Sequence, residues 1–290
     1  MGNLRHIVVG VDGSPPSVRA VAFAVALAKT EGARVSFCRA RVAVPMGAVG
    51  RRTASPAEAV PGDGADEYER EALTQAAAAG VPANAVVSDS PLAMEKYARA
   101  QRADAIVIGT DGSSPLQRNR LGSDALAIIR SADVPVFSVS GQARIDGTGP
   151  ILVAMDASAP AEAALTAAVS LARSQRATLQ VVHIFDDSDL ARIPEHIGYD
   201  PETTRRQAMT AVTDECDDVA DRLRAAGVPF SMEMVEGEPA AQLADVASRA
   251  EARFIAIGTH QRNFISRLAM GSVAEEVVRV SPVPVMTVRR

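Results

Sequence analysis

Tryptophan is absent from this chain of 290 residues, and aromatic residues of any kind make up only 3% of it. A core of any size must therefore be built from Ala, Val, Leu and Ile, which suits helices packed on a buried parallel sheet. Cysteine is almost as scarce. Cys38 and Cys216 are the only two, and their spacing suggests neither a disulfide framework nor a metal-ligand cluster. Long apolar runs are missing as well. The longest purely apolar stretch, Val21 to Ala28, is far too short to span a bilayer. Near the start, Arg5 and His6 lead directly into a short strand pattern and not into a secretory h-region. The cytoplasm is the expected location. Positive charge is not in excess: the net charge is −5 and the pI about 5.5. That argues against a nucleic acid or an anionic membrane as the main partner. The basic spots at Arg51-Arg52 and Arg118 to Arg120 are local.

What is present is a repeat. Ala105-Ile106-Val107-Ile108 runs into Gly109-Thr110-Asp111-Gly112, and nine residues later comes Gly122-Ser123. Near the end of the chain, Phe254-Ile255-Ala256-Ile257 runs into Gly258-Thr259-His260-Gln261, again followed after nine residues by Gly271-Ser272. Val8 to Ser14 matches Leu152 to Ser158, and Val134 to Val139 matches Val283 to Val288. The chain is two copies of one unit, each about 145 residues long, a comfortable size for a domain with its own core. The domains are expected at residues 1–140 and 150–290, joined by 141–149 with Gly141, Gly147 and Gly149.

Each copy reads as five strands alternating with four helices. In the first copy the strands are Leu4 to Val11, Arg34 to Val42, Ala85 to Ser88, Asp104 to Gly109 and Val134 to Val139. In the second they are Ile151 to Asp156, Thr178 to Ile184, Phe230 to Val235, Phe254 to Gly258 and Val283 to Val288. Such alternation predicts doubly wound α/β domains with parallel sheets covered on both faces. Residues 44–66, rich in Pro and Gly, read as a long loop or lid, and Asp186 to Asp200 as an acidic loop.

A strand, a glycine-bearing loop and a helix start make an anion cradle. Glycine lets backbone N–H groups approach phosphate oxygens, and the helix N-terminus adds unpaired N–H groups and the positive end of its dipole. Ser123 either caps that helix or donates to a phosphate. The spacing is neither that of a P-loop, since no Gly-Lys-Ser/Thr closes it, nor Gly-x-Gly-x-x-Gly. Asp12 ends the first strand, and in a doubly wound sheet ligands collect at the C-terminal strand ends. Ser14 followed by Pro15 reads as a helix N-cap and first turn. Alone, the loop would equally fit an ordinary turn and Asp12 a turn residue.

Gly-x2-Gly-x9-Gly-Ser, behind a unit whose first strand ends in Asp and closed by Val-Pro-Val, resembles the universal stress protein family. The resemblance covers essentially the whole chain as a tandem pair. It implies the adenine nucleotide alpha hydrolase-like fold and an adenine nucleotide, ATP or else AMP or ADP, with Mg²⁺ an open question. It gives the phosphates to Gly109, Gly112, Gly122 and Ser123, adenosine to Asp12, and the adenine edge to the backbone at Ala40. A second, weaker site would comprise Asp156, Ile184, Gly258, Gly271 and Ser272, because Gln261 stands where the family has glycine. Asp124 adds a negative charge to the first site, where the second copy has Val273. By the same resemblance the last strands of the copies pair, forming an internal pseudo-dimer, with a homodimer of whole chains left open. His183 stands where the family places a structural histidine.

Two other readings compete. The fold could persist as an interaction module that binds no nucleotide, a reading favoured by Gln261 and Asp124. An enzyme would be at most a slow ATPase, since no nucleophile–base pair, acid pair or metal-ligand cluster is visible. Hydrolysis would then rest on Mg²⁺ and loop arginines such as Arg118 and Arg120.

Overall fold

The computed structural model describes residues 3–40, 67–88, 90–110, 121–156, 158–186, 200–259 and 272–289. The first copy runs β1 (His6–Gly10), α1 (Pro15–Glu31), β2 (Arg34–Ala40), α2 (Glu67–Ala78), β3 (Ala83–Ser88), α3 (Pro91–Ala100), β4 (Ala105–Gly109), α4 (Ser123–Ser131) and β5 (Val136–Val139). The second repeats the order: β6 (Ile151–Met155), α5 (Ala159–Gln175), β7 (Leu179–Phe185), α6 (Pro201–Ala226), β8 (Phe230–Glu236), α7 (Pro239–Arg249), β9 (Phe254–Gly258), α8 (Ser272–Val280) and β10 (Val285–Val288). The predicted loop or lid at 44–66 lies outside the described residues, as do residues 187–199 of the predicted acidic loop Asp186 to Asp200, and Gly112, Arg118, Arg120, Gln261 and Gly271.

The strands form one ten-stranded sheet in the order β3-β2-β1-β4-β5-β10-β9-β6-β7-β8. Pairing is parallel within each copy, as in β1 with β4 (Val9↔Val107) and β6 with β9 (Val153↔Ala256). The copies meet at β5 and β10, which run antiparallel with Phe137 opposite Met286. The expected pairing of the last strands is therefore what joins the two halves.

Apolar runs in β1 follow from burial on both faces. Ile7 and Val9 pack with α1, while Val8 packs with Met94 of α3 and Ile128 of α4. Serines set two helix starts in the first copy. Ser14 Oγ accepts from Ser17 N–H at 3.3 Å, and Ser90 Oγ from Ala93 N–H at 3.1 Å. Each is followed by proline, whose missing N–H costs nothing there. Glu238 does the same at α7, its carboxylate accepting from Ala240 and Ala241 N–H.

Three strands, β1, β5 and β10, are shorter than their apolar runs, whereas β3 starts earlier than expected, at Ala83, and β8 ends later, at Glu236. β1 begins at His6 and not at Leu4, because the backbone N–H groups of Arg5 and His6 donate to the Asp104 carboxylate at 2.8 and 3.0 Å. β5 and β10 begin two residues late, since Pro135 and Pro284 can only accept: their carbonyls take the N–H groups of Ile106 and Ile255. The connection between copies is laid on the second one. Gly149 N–H donates to Glu251 C=O at 3.0 Å, and a Cβ on Gly147 would lie 2.3 Å from Ala252 O. No helix among the described residues is long and apolar enough to cross a membrane.

Candidate functional site

Asp12 follows β1 at the C-terminal edge of the sheet and is exposed. Its Oδ1 accepts from Ser14 N–H at 2.9 Å and from Ser14 Oγ–H at 2.6 Å. Gly13 between them has φ +76°, a region that other residues enter only at a cost, and a Cβ there would collide with the Tyr68 ring at 2.4 Å. Ser17, buried in α1, ties this loop to the strand. Its Oγ donates to Gly10 C=O at 3.3 Å and accepts Asp12 N–H at 3.1 Å. Neither Ser17 nor Tyr68 stood out in the sequence. A hydroxyl one turn into a helix and an aromatic on a distant helix carry no spacing signal.

The glycine loop leaves β4 at Gly109. A Cβ on Gly109 would lie 2.8 Å from Pro16 C and Ser17 N. The missing side chain makes room for the first turn of α1, so this glycine's packing role is helix against strand. Thr110, buried, donates its N–H to Val139 C=O at 3.1 Å and accepts Gly122 N–H at 2.8 Å. That second bond brings the two ends of the glycine-bearing stretch together beside the end of β4. α4 then starts with Leu126 N–H donating to Gly122 C=O at 3.0 Å.

Gly122 occupies the N-cap position, with no side-chain cap bond. Ser123, one of two roles expected for it being the cap, is instead the first helical residue. The bond to Thr110 ends the loop one residue early, so Ser123 enters the helix and its exposed hydroxyl lies 3.5 Å from Asp124 Oδ1. The first-turn N–H groups of α4 are left without a side-chain acceptor from the cap. Asp124 is exposed in that same turn. Ala40 ends β2, paired with Ser88 of β3. Asp12, Gly109, Gly122, Ser123 and Ala40 therefore share one edge of the sheet, because β2, β1 and β4 are parallel neighbours.

The second copy keeps the frame and changes the fittings. Asp156 Oδ1 accepts Ser158 N–H at 3.0 Å. Ala161 stands where the first copy has Ser17, so the tie made by the Ser17 hydroxyl has no counterpart at this position. A Cβ on Gly258 would lie 2.3 Å from Pro160 C, the packing role of Gly109 again. Thr259 N–H donates to Val288 C=O at 3.0 Å, as Thr110 does in the first copy. Ser272 is the first residue of α8 and exposed; Ile184 lies on β7 next to the buried His183. Beside His183 opens a cleft of about 500 Å³, lined by Met155, Glu162, Glu215, Cys216 and Arg222 among others. Glu162 and Arg222 bridge it with paired bonds of 2.6 and 2.7 Å. Burial, with Glu215 and Asp217 alongside, pushes the Cys216 thiol up. Burial also raises the Cys38 thiol.

A family model described as the universal stress protein family matches residues 3–140 and again 147–289. The chain belongs to that family. Among curated relatives, a universal stress protein of Mycolicibacterium smegmatis is 26% identical over 294 residues, covering 98% of this chain and 96% of the relative. One from Mycobacterium tuberculosis is 29% identical over 191 residues, 65% of this chain. The aligned part spans 62% of that relative's length. Among solved structures, a universal stress protein from Archaeoglobus fulgidus superposes with a TM-score of 0.70, covering 98% of both chains at 18% identity. At that identity the likeness speaks for the fold alone, two doubly wound units included.

Proposed function

We propose that this universal stress protein binds an adenine nucleotide, ATP foremost, at the first copy's C-terminal sheet edge, and works in the cytoplasm. The observation that carries the reading is the bond from Gly122 N–H to Thr110 C=O. It sets an N-terminus of α4 without a side-chain cap on the same edge as Asp12. Backbone N–H groups and the helix dipole there suit a phosphate. Asp12 Oδ1 is engaged by Ser14, which leaves Oδ2 for a ribose hydroxyl. The backbone at Ala40 would meet the adenine edge. Gly109 contributes by letting α1 approach, which sets the Asp12 loop, while Gly112, Gly122 and Ser123 would face phosphate. The second copy, with Asp156, Ile184, Gly258, Gly271 and Ser272, would bind more weakly.

Calorimetry with ATP tests this. Gly122→Val puts a branched side chain against the phosphate approach and should abolish binding while the fold persists. Unchanged affinity would overturn the placement. The second reading, an interaction module without nucleotide, draws on Asp124 at the start of α4. It would be supported by protein purified free of nucleotide that gives no heat with millimolar ATP.

A further inference from the structure

Phe137 and Met286 face each other in the β5–β10 ladder, and they are also each other's counterparts in the two copies. The pseudo-twofold axis relating the copies therefore passes between them. A second pair of counterparts meets where α1 and α5 end. Glu31 and Gln175 lie equally far beyond Asp12 and Asp156. Glu31 Oε1 accepts from Gln175 Nε2 at 3.0 Å and from Ser174 Oγ at 2.8 Å. Glu31 is 8% exposed, and its Oε2 is buried without a hydrogen-bond partner.

The residues on this axis are unequal in kind. A carboxylate only accepts, whereas the amide of Gln175 also donates. Were two first-type copies to pair by the same symmetry, Glu31 would meet a second Glu31. Two carboxyl groups in one buried place cannot both stay ionised, so one of them would have to bind a proton before it could donate to the other. Phe137 adds a size argument. Its ring lies 5.4 Å from Phe23 and 5.3 Å, edge-on, from Phe254 of the second copy, with Met286 opposite. With Phe254 in place, a phenylalanine at position 286 would overfill this cluster. Two second-type copies would bring neither Phe23 nor Phe137, since Ala167 and Met286 stand in their places.

We propose that the pairing face is heterotypic. The face around Glu31 and Phe137 fits a copy that presents a neutral donor at 175 and a flexible thioether at 286, and it disfavours another first-type copy. Whichever chains meet, a first copy pairs with a second copy.

The test is a charge swap in the full chain. Gln175→Glu gives the second copy the first copy's residue. It should lower the thermal midpoint by several degrees at neutral pH and speed hydrogen exchange of the β5 and β10 amides. Adding Glu31→Gln moves the single carboxylate across the axis and should restore both readings. Met286→Phe, rescued by Phe137→Met, should behave in the same way. A Gln175→Glu chain as stable as the unmodified one overturns the proposal. So does a Glu31→Gln/Gln175→Glu chain that is no better than Gln175→Glu, or that fails to fold alongside it.

Discussion

Asp12 and Ser14 are locked together: one carboxylate oxygen takes both the backbone N–H and the hydroxyl of Ser14, at 2.9 and 2.6 Å. Ser14 Oγ in turn caps α1 by accepting Ser17 N–H. The aspartate is thus held in place before any ligand arrives. A hydrogen bond to a charged group contributes roughly 1.5–3 kcal/mol. Asp12→Ala should therefore weaken nucleotide binding about tenfold or more. Adenosine should suffer as much as ATP in calorimetry, since the proposed contact is to the nucleoside. A loss confined to ATP would put Asp12 at the phosphates instead.

Asp124 lies in the first turn of α4, exposed, on the helix that offers its N–H groups. Its charge opposes a polyphosphate. At ~6 Å and an effective dielectric near 20 the repulsion is roughly 3 kcal/mol before solvent and salt reduce it. A realised penalty of about 1 kcal/mol is expected for an exposed group. Asp124→Val, the second copy's residue at this place, should tighten ATP several-fold more than AMP, most clearly at low salt. Equal effects on the two nucleotides would show that Asp124 points away from the phosphates.

Much of this was legible in the sequence for a physical reason. Strands buried on both faces must be apolar throughout, so Val8, Ile106, Leu152 and Ile255 announce parallel β-structure without alternation. The repeat then located the twin strands that join the copies. Spacing could not show which way a missing Cβ faces. Gly109 and Gly258 read as phosphate contacts, yet their open sides are filled by α1 and α5. Glu31 belongs to no motif, and its bonds from Ser174 and Gln175 form only where the two copies meet. Ser123 read as a cap or a phosphate donor. The bond between Gly122 and Thr110, which moves it into the helix, joins positions that no local pattern connects.

The packing role of these glycines is directly testable. Gly109→Ala would set a methyl 2.8 Å from Pro16 C and Ser17 N, and Gly258→Ala one 2.3 Å from Pro160 C. Backbone must move in both. Overpacking of this kind costs about 1–3 kcal/mol, which lowers the thermal midpoint by roughly 3–10 °C. Both variants should be destabilised, with or without nucleotide. Wild-type midpoints would show that the α1 and α5 turns yield freely.

His6 makes stability depend on pH. It is buried, its Nε2 lies 2.8 Å from Ser36 Oγ, and its Nδ1 has no hydrogen-bond partner. Burial foremost, then the Arg34 charge, holds its pKa below the ordinary 6.5, with the Gln101 backbone and then Asp104 acting the other way. The unfolded chain therefore binds the proton more readily. Stability is full above about pH 6.5 and falls as pH drops from there toward the folded-state value, by up to about 1.4 kcal/mol per pH unit. His6→Gln should flatten the stability curve below pH 6.5 in urea titrations. An unchanged slope would mean that His6 takes up its proton equally in both states.

Ser17 separates the two sites more sharply than any other described residue near them. Its hydroxyl joins Gly10 C=O to Asp12 N–H, at 3.3 and 3.1 Å, and is buried. The second copy has Ala161 in its place, equally buried. The Asp12 loop is thus tied to its strand through a hydroxyl that the second copy lacks, a difference that would act on affinity without any contact to the nucleotide. Ser17→Ala removes two bonds of about 1 kcal/mol each, so nucleotide binding should weaken by roughly tenfold. A nearly unchanged affinity would show that the cap at Ser14 holds the loop unaided. The unmodified chain should bind closer to one ATP than two, since the second copy lacks this hydroxyl and carries Gln261 where its family has glycine. Ala161→Ser with Gln261→Gly should raise the calorimetric stoichiometry toward two, and two equivalent tight sites in the unmodified chain would refute the asymmetry.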